Sequence, residues 1–270
     1  MSSIILLMPF GLGDHIICHG IVREYCQKYD RVAIFTMPQN QASVSFMFRD
    51  LKNLDIIVGD QSFAKNFILS SLKANLVETP TTKYDYLKII GFQYFDPHSG
   101  VLFEKQEYQL AGLDLEKKWD NFIVHREKER EEALLNKLAP KGAYAFLHED
   151  AGRNYLIKRG LISKQLSITT PKPELTNNIF DYCTTIERAE EIHVIDSSFM
   201  FLVDCLDYSN PKQKLYVHRY SRGNEDWKLP ILKKNWHILI SGYSRTEQIF
   251  NRNKFLLQKA LRKISRGLSR

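Results

Sequence analysis

The 270 residues are 44% hydrophobic, 26% charged and 12% aromatic, a composition that supports a sizeable core and excludes extended disorder over most of the chain. The formal net charge of +7 equals the seven basic residues of 252–270 (Arg252, Lys254, Lys259, Arg262, Lys263, Arg266 and Arg270), a stretch without an acid. The rest of the chain is therefore neutral and offers no basic stripe for nucleic acid. Cys18, Cys26, Cys183 and Cys205 lack CxxC spacing, which argues against a zinc knuckle or disulfide framework. No run reaches the ~18 apolar residues of a membrane span, and the opening lacks the basic flank of a signal peptide. The expectation is a cytoplasmic protein.

The first third alternates strand and helix. Apolar runs at 4–8, 32–36 and 55–58 read as buried strands. Helical spacing follows each of them, over 14–29, 39–51 and 62–76. Strands alternating with helices imply βαβ units and a parallel sheet. Residues 77–118 are rich in aromatics and turn formers and give no clear period. A second series begins near Trp119, with strands expected at 122–124, 144–148, 166–168, 191–195 and 215–218 and helices at 127–138, 175–189 and 199–206. The fold class expected is α/β, two Rossmann-like halves facing a cleft. The first half covers 1–115, the second 119–250, and a basic amphipathic helix ends the chain over 251–270.

Three strand ends carry chemistry. The first strand runs into Gly11-Leu12-Gly13-Asp14-His15. As a dinucleotide fingerprint it fails, because Ile16 takes the third glycine position and the second strand ends without a carboxylate for a ribose. What remains is a glycine turn that lets a ligand approach the backbone, with Asp14 at a helix start. Asp14 serves there as an N-cap or as a base, and its residue chemistry leaves both open. His15 is more often a partly buried polar residue than a catalyst.

The strand over 144–148 delivers a dense polar group: His148, Glu149, Asp150, Arg153, Lys158 and Arg159. Ligands of open α/β sheets bind at such carboxyl ends. The three cations suit a diphosphate, while a solvated turn with local ion pairs is an even alternative for any one residue. The strand over 191–195 runs into Asp196-Ser197-Ser198 and an apolar helix. Hydroxyls with unpaired N–H groups at a helix start suit a phosphate, and ordinary capping is again comparable.

Together these pieces resemble the two-domain GT-B glycosyltransferases, in particular the heptosyltransferase-like branch. The resemblance rests on Gly13-Asp14 after the first strand and on Asp196-Ser197-Ser198 before a later helix. It implies that Asp14 deprotonates the acceptor and that Asp196, Ser197 and Ser198 hold the donor's diphosphate. Gly11, Gly13, His148, Arg153, Lys158 and Arg159 complete the expected nucleotide-sugar site. The implied activity is metal-independent transfer of a sugar from a nucleoside diphosphate sugar to a hydroxyl of a glycan or glycolipid. No cofactor beyond that donor and no metal is expected. A non-catalytic nucleotide- or sugar-binding protein on the same scaffold is the alternative, and a nucleotide-dependent oxidoreductase a weaker one. In the tail, Leu257, Ala260, Leu261, Ile264 and Leu268 follow helical spacing. They give either a peripheral membrane-surface helix or a helix that packs back on the fold.

Overall fold

The computed structural model describes residues 2–60, 62, 66, 77–78, 83–91, 102–222 and 228–240. Most of the helix expected over 62–76 and the whole tail helix over 251–270 lie outside the described residues.

The chain forms two parallel sheets. In the first, β1 (Ser3–Leu7) is flanked by β2 (Arg31–Thr36), which pairs in turn with β3 (Leu54–Val58). A short antiparallel pair, β4 (Val77–Glu78) with β5 (Lys83–Tyr84), precedes β6 (Tyr86–Ile89). β6 lies parallel to β1 on its free side, giving the order β3-β2-β1-β6. The second sheet contains β7 (Tyr144–His148), β8 (Ser167–Thr169), β9 (Glu191–Val194), β10 (Lys214–His218) and β11 (Trp236–Leu239). Its order is β11-β10-β9-β7-β8, again all parallel. Strands such as β1 and β9 are covered on both faces, which explains their unbroken apolar runs.

Helices with described bounds are α1 (Leu12–Ile17), α2 (His19–Lys28), α3 (Gln41–Met47), α4 (Phe103–Ala111), α5 (Lys117–Asp120), α6 (Lys128–Leu138), α7 (Cys183–Arg188) and α8 (Ser198–Cys205). Four details depart from the sequence expectation. The single helix over 14–29 is two, divided at Cys18. No strand forms over 122–124, where Phe122 N–H turns back to the Trp119 carbonyl and the Ile123 carbonyl accepts from Arg23 at 2.5 Å. The helix expected over 175–189 starts late, because Thr176 and Asn178 bond the backbone ahead of them: Thr176 Oγ1 accepts Asn178 N–H at 3.0 Å and Asn178 Oδ1 accepts Phe180 N–H at 3.2 Å. A 3₁₀ turn, Ile179–Tyr182, then leads into α7. The edge strands β6 and β11 were not anticipated.

One apolar cluster spans the molecule, joining Ile4 and Leu6 of β1 through Ile16, Ile17 and Phe201 to Ile192, Val194 and Val217 of the second sheet. Helices α1 and α8 form the seam. Their close approach requires Gly13: a Cβ there would lie 3.1 Å from the Phe201 ring. Smaller clusters cover the outer faces, around Ile5, Leu7 and Phe35 in the first sheet and around Ala145, Leu147, Ile157 and Ile162 in the second.

Buried Asp204, at the end of α8, anchors the last strand. Its carboxylate accepts Trp119 Nε1 and Trp236 Nε1 at 3.0 Å each, and the Lys233 and Lys234 amides at 2.9 and 3.0 Å. Asp204→Ala would strand four donors. We expect it to cost about 3 kcal/mol in chemical denaturation, the scale of breaking a buried charged hydrogen-bond set, with Asp204→Asn recovering part. A loss below about 1 kcal/mol would show that water replaces the carboxylate.

No helix among the described residues is long and apolar enough to cross a membrane.

Candidate active site

The residues singled out from the sequence lie at the carboxyl ends of β1, β7 and β9. The turn after β1 places Gly11 at the N-cap of α1 and Asp14 at its third position, so Asp14 is not the N-cap. Its Oδ2 accepts the Gly11 N–H at 3.0 Å, the returning half of a capping box. Burial lifts the Asp14 carboxyl from 3.8 to about 6, with the Gly11 bond opposing. Behind it lies a second buried carboxyl, Glu107 of α4, which accepts the Cys18 thiol at 3.5 Å. Burial, then the Asp14 charge, push Glu107 well above the usual carboxylate range. His15, expected to be partly buried, is fully buried, and burial lowers its pKa to about 4, so it is neutral at physiological pH.

Across the seam, Gly13 lies beside α8: a Cβ on it would be 3.7 Å from Ser198 Cα. The start of α1 therefore meets the start of α8. Ser197 occupies the N-cap position of α8 but makes no side-chain cap. Its hydroxyl instead shares a 3.0 Å hydrogen bond with His148 Nδ1. The His148 ring lies 4.6 Å from that of Phe199, and burial lowers its pKa to about 4. The first N–H groups of α8 have no intrahelical partner. Asp196 does not cap either. Its carboxylate pairs with Arg219, and its carbonyl accepts Arg222 Nη1 at 2.6 Å.

The cations after β7 are engaged locally. Arg153 pairs with Asp150 at 2.6 Å and Arg159 with Glu149 at 2.6 Å. For Glu149, burial raises the pKa, but the Arg159 and Ile157 N–H bonds outweigh it and leave the group below its usual value. Lys158 is held by its backbone, whose N–H donates to Tyr220 Oη at 2.9 Å.

Sequence reasoning missed Arg219, Tyr220 and Arg222, which form a 3₁₀ turn (Arg219–Arg222) directly after β10. That turn clasps the other two strand ends. Arg222 reaches Asp196 and lies over the Tyr155 ring at 5.6 Å, with Arg153 at 5.3 Å from the same ring, while Ser221 Oγ donates to the Leu156 carbonyl at 2.8 Å. The rule that pointed to His148 and Asp196, polar residues just past a buried strand, applies equally to Arg219-Tyr220-Ser221-Arg222. Among the described residues the site thus gathers Arg153, Lys158, Arg159, Arg219 and Arg222 with Glu149, Asp150 and Asp196, beside the Ser197 hydroxyl and a helix start.

No protein-family model matches the chain, and no curated protein matches it. Solved structures do. The ADP-heptose lipopolysaccharide heptosyltransferase II of E. coli superposes with a TM-score of 0.54 at 11% identity, over 96% of this chain and 100% of that one. A family 9 glycosyltransferase from Veillonella parvula superposes with a TM-score of 0.52 at 10% identity, over 93% and 91%. At such identity the likeness is one of fold, and it extends over nearly the whole chain.

Proposed function

We propose that this chain is a glycosyltransferase of GT-B architecture, moving a sugar from a nucleoside diphosphate sugar to a hydroxyl of a glycan or glycolipid. One observation carries the reading. The start of α1, with Asp14, meets the start of α8, with Ser197 and Ser198, where the carboxyl ends of both sheets come together. A base and an anion site share one place there. The heptosyltransferase-like fold supports it.

In this reading the two sheets and their helices are the acceptor and donor halves, and the substrates bind at the strand ends beside the packed α1–α8 seam. The acceptor oxygen attacks the anomeric carbon and forms the new C–O bond. The bond from that carbon to the diphosphate breaks, and its electron pair leaves with the phosphate oxygen. Asp14, with its pKa near 6, is mostly ionised at pH 7 and takes the acceptor proton as it is lost. The α8 N–H groups, Ser197 and the surrounding arginines stabilise the departing diphosphate. They supply the counter-charge without a metal.

A thermal-shift panel of ADP, GDP, UDP and NAD tests this reading. ADP heads the panel because the E. coli neighbour is an ADP-heptose enzyme. A nucleoside diphosphate should raise the melting temperature and NAD should not. Stabilisation by NAD alone would favour an oxidoreductase. Binding without turnover on any hydroxyl acceptor would favour a binding protein.

Ser197→Ala should weaken diphosphate binding by about tenfold or more and leave nucleoside binding unchanged, the effect of one hydrogen bond to a charged group. Arg153→Ala should act in the same direction but less, because Asp150 already neutralises that guanidinium. Calorimetry with both ligand types checks this. Equal losses for nucleoside and diphosphate would move the phosphates elsewhere.

A further inference from the structure

The outer face of the second sheet carries a buried chain of polar groups that ends at the candidate donor site. Glu191 stands at the start of β9, is 4% exposed, and accepts Ser163 Oγ at 2.6 Å and Ser163 N–H at 3.1 Å. Its Oε2 lies 3.0 Å from His193 Nε2. His193 Nδ1 lies 2.9 Å from His218 Nε2 on the neighbouring strand. His218 Nδ1 lies 2.9 Å from Tyr220 Oη. Tyr220 Oη accepts the Lys158 N–H at 2.9 Å. Both imidazoles are fully buried. The His193 ring is also stacked on Tyr216 at 4.5 Å, which fixes its plane.

The direction of every proton in this chain follows from its two ends. Burial raises the Glu191 pKa, but its bonds from Ser163 and His193 outweigh burial and leave it below the usual value, so it is an anion that only accepts. His193 must therefore donate from Nε2. Burial lowers both imidazoles, His218 to about 3, with His193 and Arg159 adding to the effect there; Glu191 opposes the shift at His193. Lys214 Nζ, 4.0 Å from Glu191, is the further charge at the inner end. Each ring is then neutral and carries one proton. His193 Nδ1 accepts from His218 Nε2–H, and His218 Nδ1 accepts from the Tyr220 hydroxyl. The Tyr220 oxygen turns lone pairs outward, and the Lys158 amide supplies a matching donor.

We infer that Glu191, His193, His218 and Tyr220 form a tautomer lock, a set of positioning residues that holds the Lys158–Arg159 backbone and the Arg219–Arg222 turn in place for the donor's diphosphate. The last clause rests on the glycosyltransferase reading; the lock itself does not. Glu191→Gln keeps this polarity, because the oxygen facing His193 Nε2 also accepts the Ser163 N–H, so the amide turns its oxygen to those two donors and its NH2 to Ser163 Oγ. Glu191→Leu removes the acceptor, leaves His193 Nε2–H without a partner and opens both tautomers.

The test uses the full chain labelled with ¹⁵N-histidine, the two signals being assigned by His193→Gln and His218→Gln. Nitrogen shifts should show both rings neutral and protonated at Nε2 between pH 6 and 8; Glu191→Gln should leave them so, and Glu191→Leu should put both rings into a mixture of tautomers. Tyr220→Phe removes only the hydroxyl and should fold. It should speed hydrogen exchange at the Lys158 amide and weaken inorganic pyrophosphate binding, each by about tenfold, the worth of one buried hydrogen bond. Rings protonated at Nδ1, or rings that Glu191→Leu leaves wholly at Nε2, would overturn the lock and leave the donor reading standing. Locked rings and a protected Lys158 amide in a chain that binds no pyrophosphate would confirm the lock and overturn the donor reading.

Discussion

Asp14→Asn is expected to lower the sugar-transfer rate by ~100-fold or more, the usual scale of lost general-base catalysis, while leaving diphosphate binding intact. Asparagine keeps the shape and an oxygen to accept the Gly11 N–H, but it cannot take a proton. The pH dependence gives an independent check. The rate of the unaltered chain should climb through about pH 6 as Asp14 ionises, and the variant should lose that step. Stability should move the opposite way. The folded carboxyl titrates near 6 against 3.8 for the free group, so the folded state holds its proton more tightly. The stabilisation this gives is complete below about pH 4 and is lost as the pH rises through 6. The asparagine variant has no such loss. It should melt at or above the unaltered chain at pH 7 and gain nothing at pH 3.5. Full turnover combined with earlier melting would show that Asp14 serves only the helix start.

Gly20→Ala should strongly destabilise the fold, although it adds a single methyl group. Gly20 lies in the first turn of α2, where the first residue of α5 crosses it. A Cβ at that position would stand 2.1 Å from the Lys117 carbonyl oxygen, 2.8 Å from its carbon and 2.8 Å from the Tyr108 hydroxyl. Two of these atoms are backbone. The third is fixed by its own bond to the Ile17 carbonyl at 2.9 Å. No rotamer change relieves the clash, so α2 and α5 must separate. In most helices alanine gains about 1 kcal/mol over glycine; at Gly20 we expect a loss on the order of 4 kcal/mol, at the upper end of overpacking. Urea denaturation measures it. A neutral or stabilising result would mean that the two segments are not in contact.

Several elements were legible because each obeys one local rule. β1, β7 and β9 are buried on both faces and read as short unbroken apolar runs, and Gly11 and Gly13 mark the turn into α1. β6 and β11 were hidden because they are edge strands, half exposed, with mixed polarity in Tyr-Leu-Lys-Ile and Trp-His-Ile-Leu. Only their pairing with β1 and β10 makes them strands. The apolar triplet Phe122-Ile123-Val124 misleads in the opposite sense: Phe122 packs on His19 of α2, Ile123 is half exposed, and none of the three joins a sheet. In the site, Asp14 and Ser197 are far apart along the chain, and nothing local says that α1 and α8 meet. Gly13 was read as room for a ligand, and it also makes room for Phe201. The Glu191–His193–His218–Tyr220 chain crosses two strands, so no spacing along the sequence could display it.

The proposed function puts the diphosphate of a nucleotide sugar at the strand ends around Ser197 and Arg222. Calorimetric titration of the full chain with ADP, GDP and UDP, each against its own nucleoside, tests it most directly. One diphosphate should bind at least about tenfold more tightly than its nucleoside, a difference of about 1.4 kcal/mol carried by the phosphates. That difference should shrink in Ser197→Ala. If no diphosphate binds, or if nucleoside and diphosphate bind alike, the proposed function is contradicted.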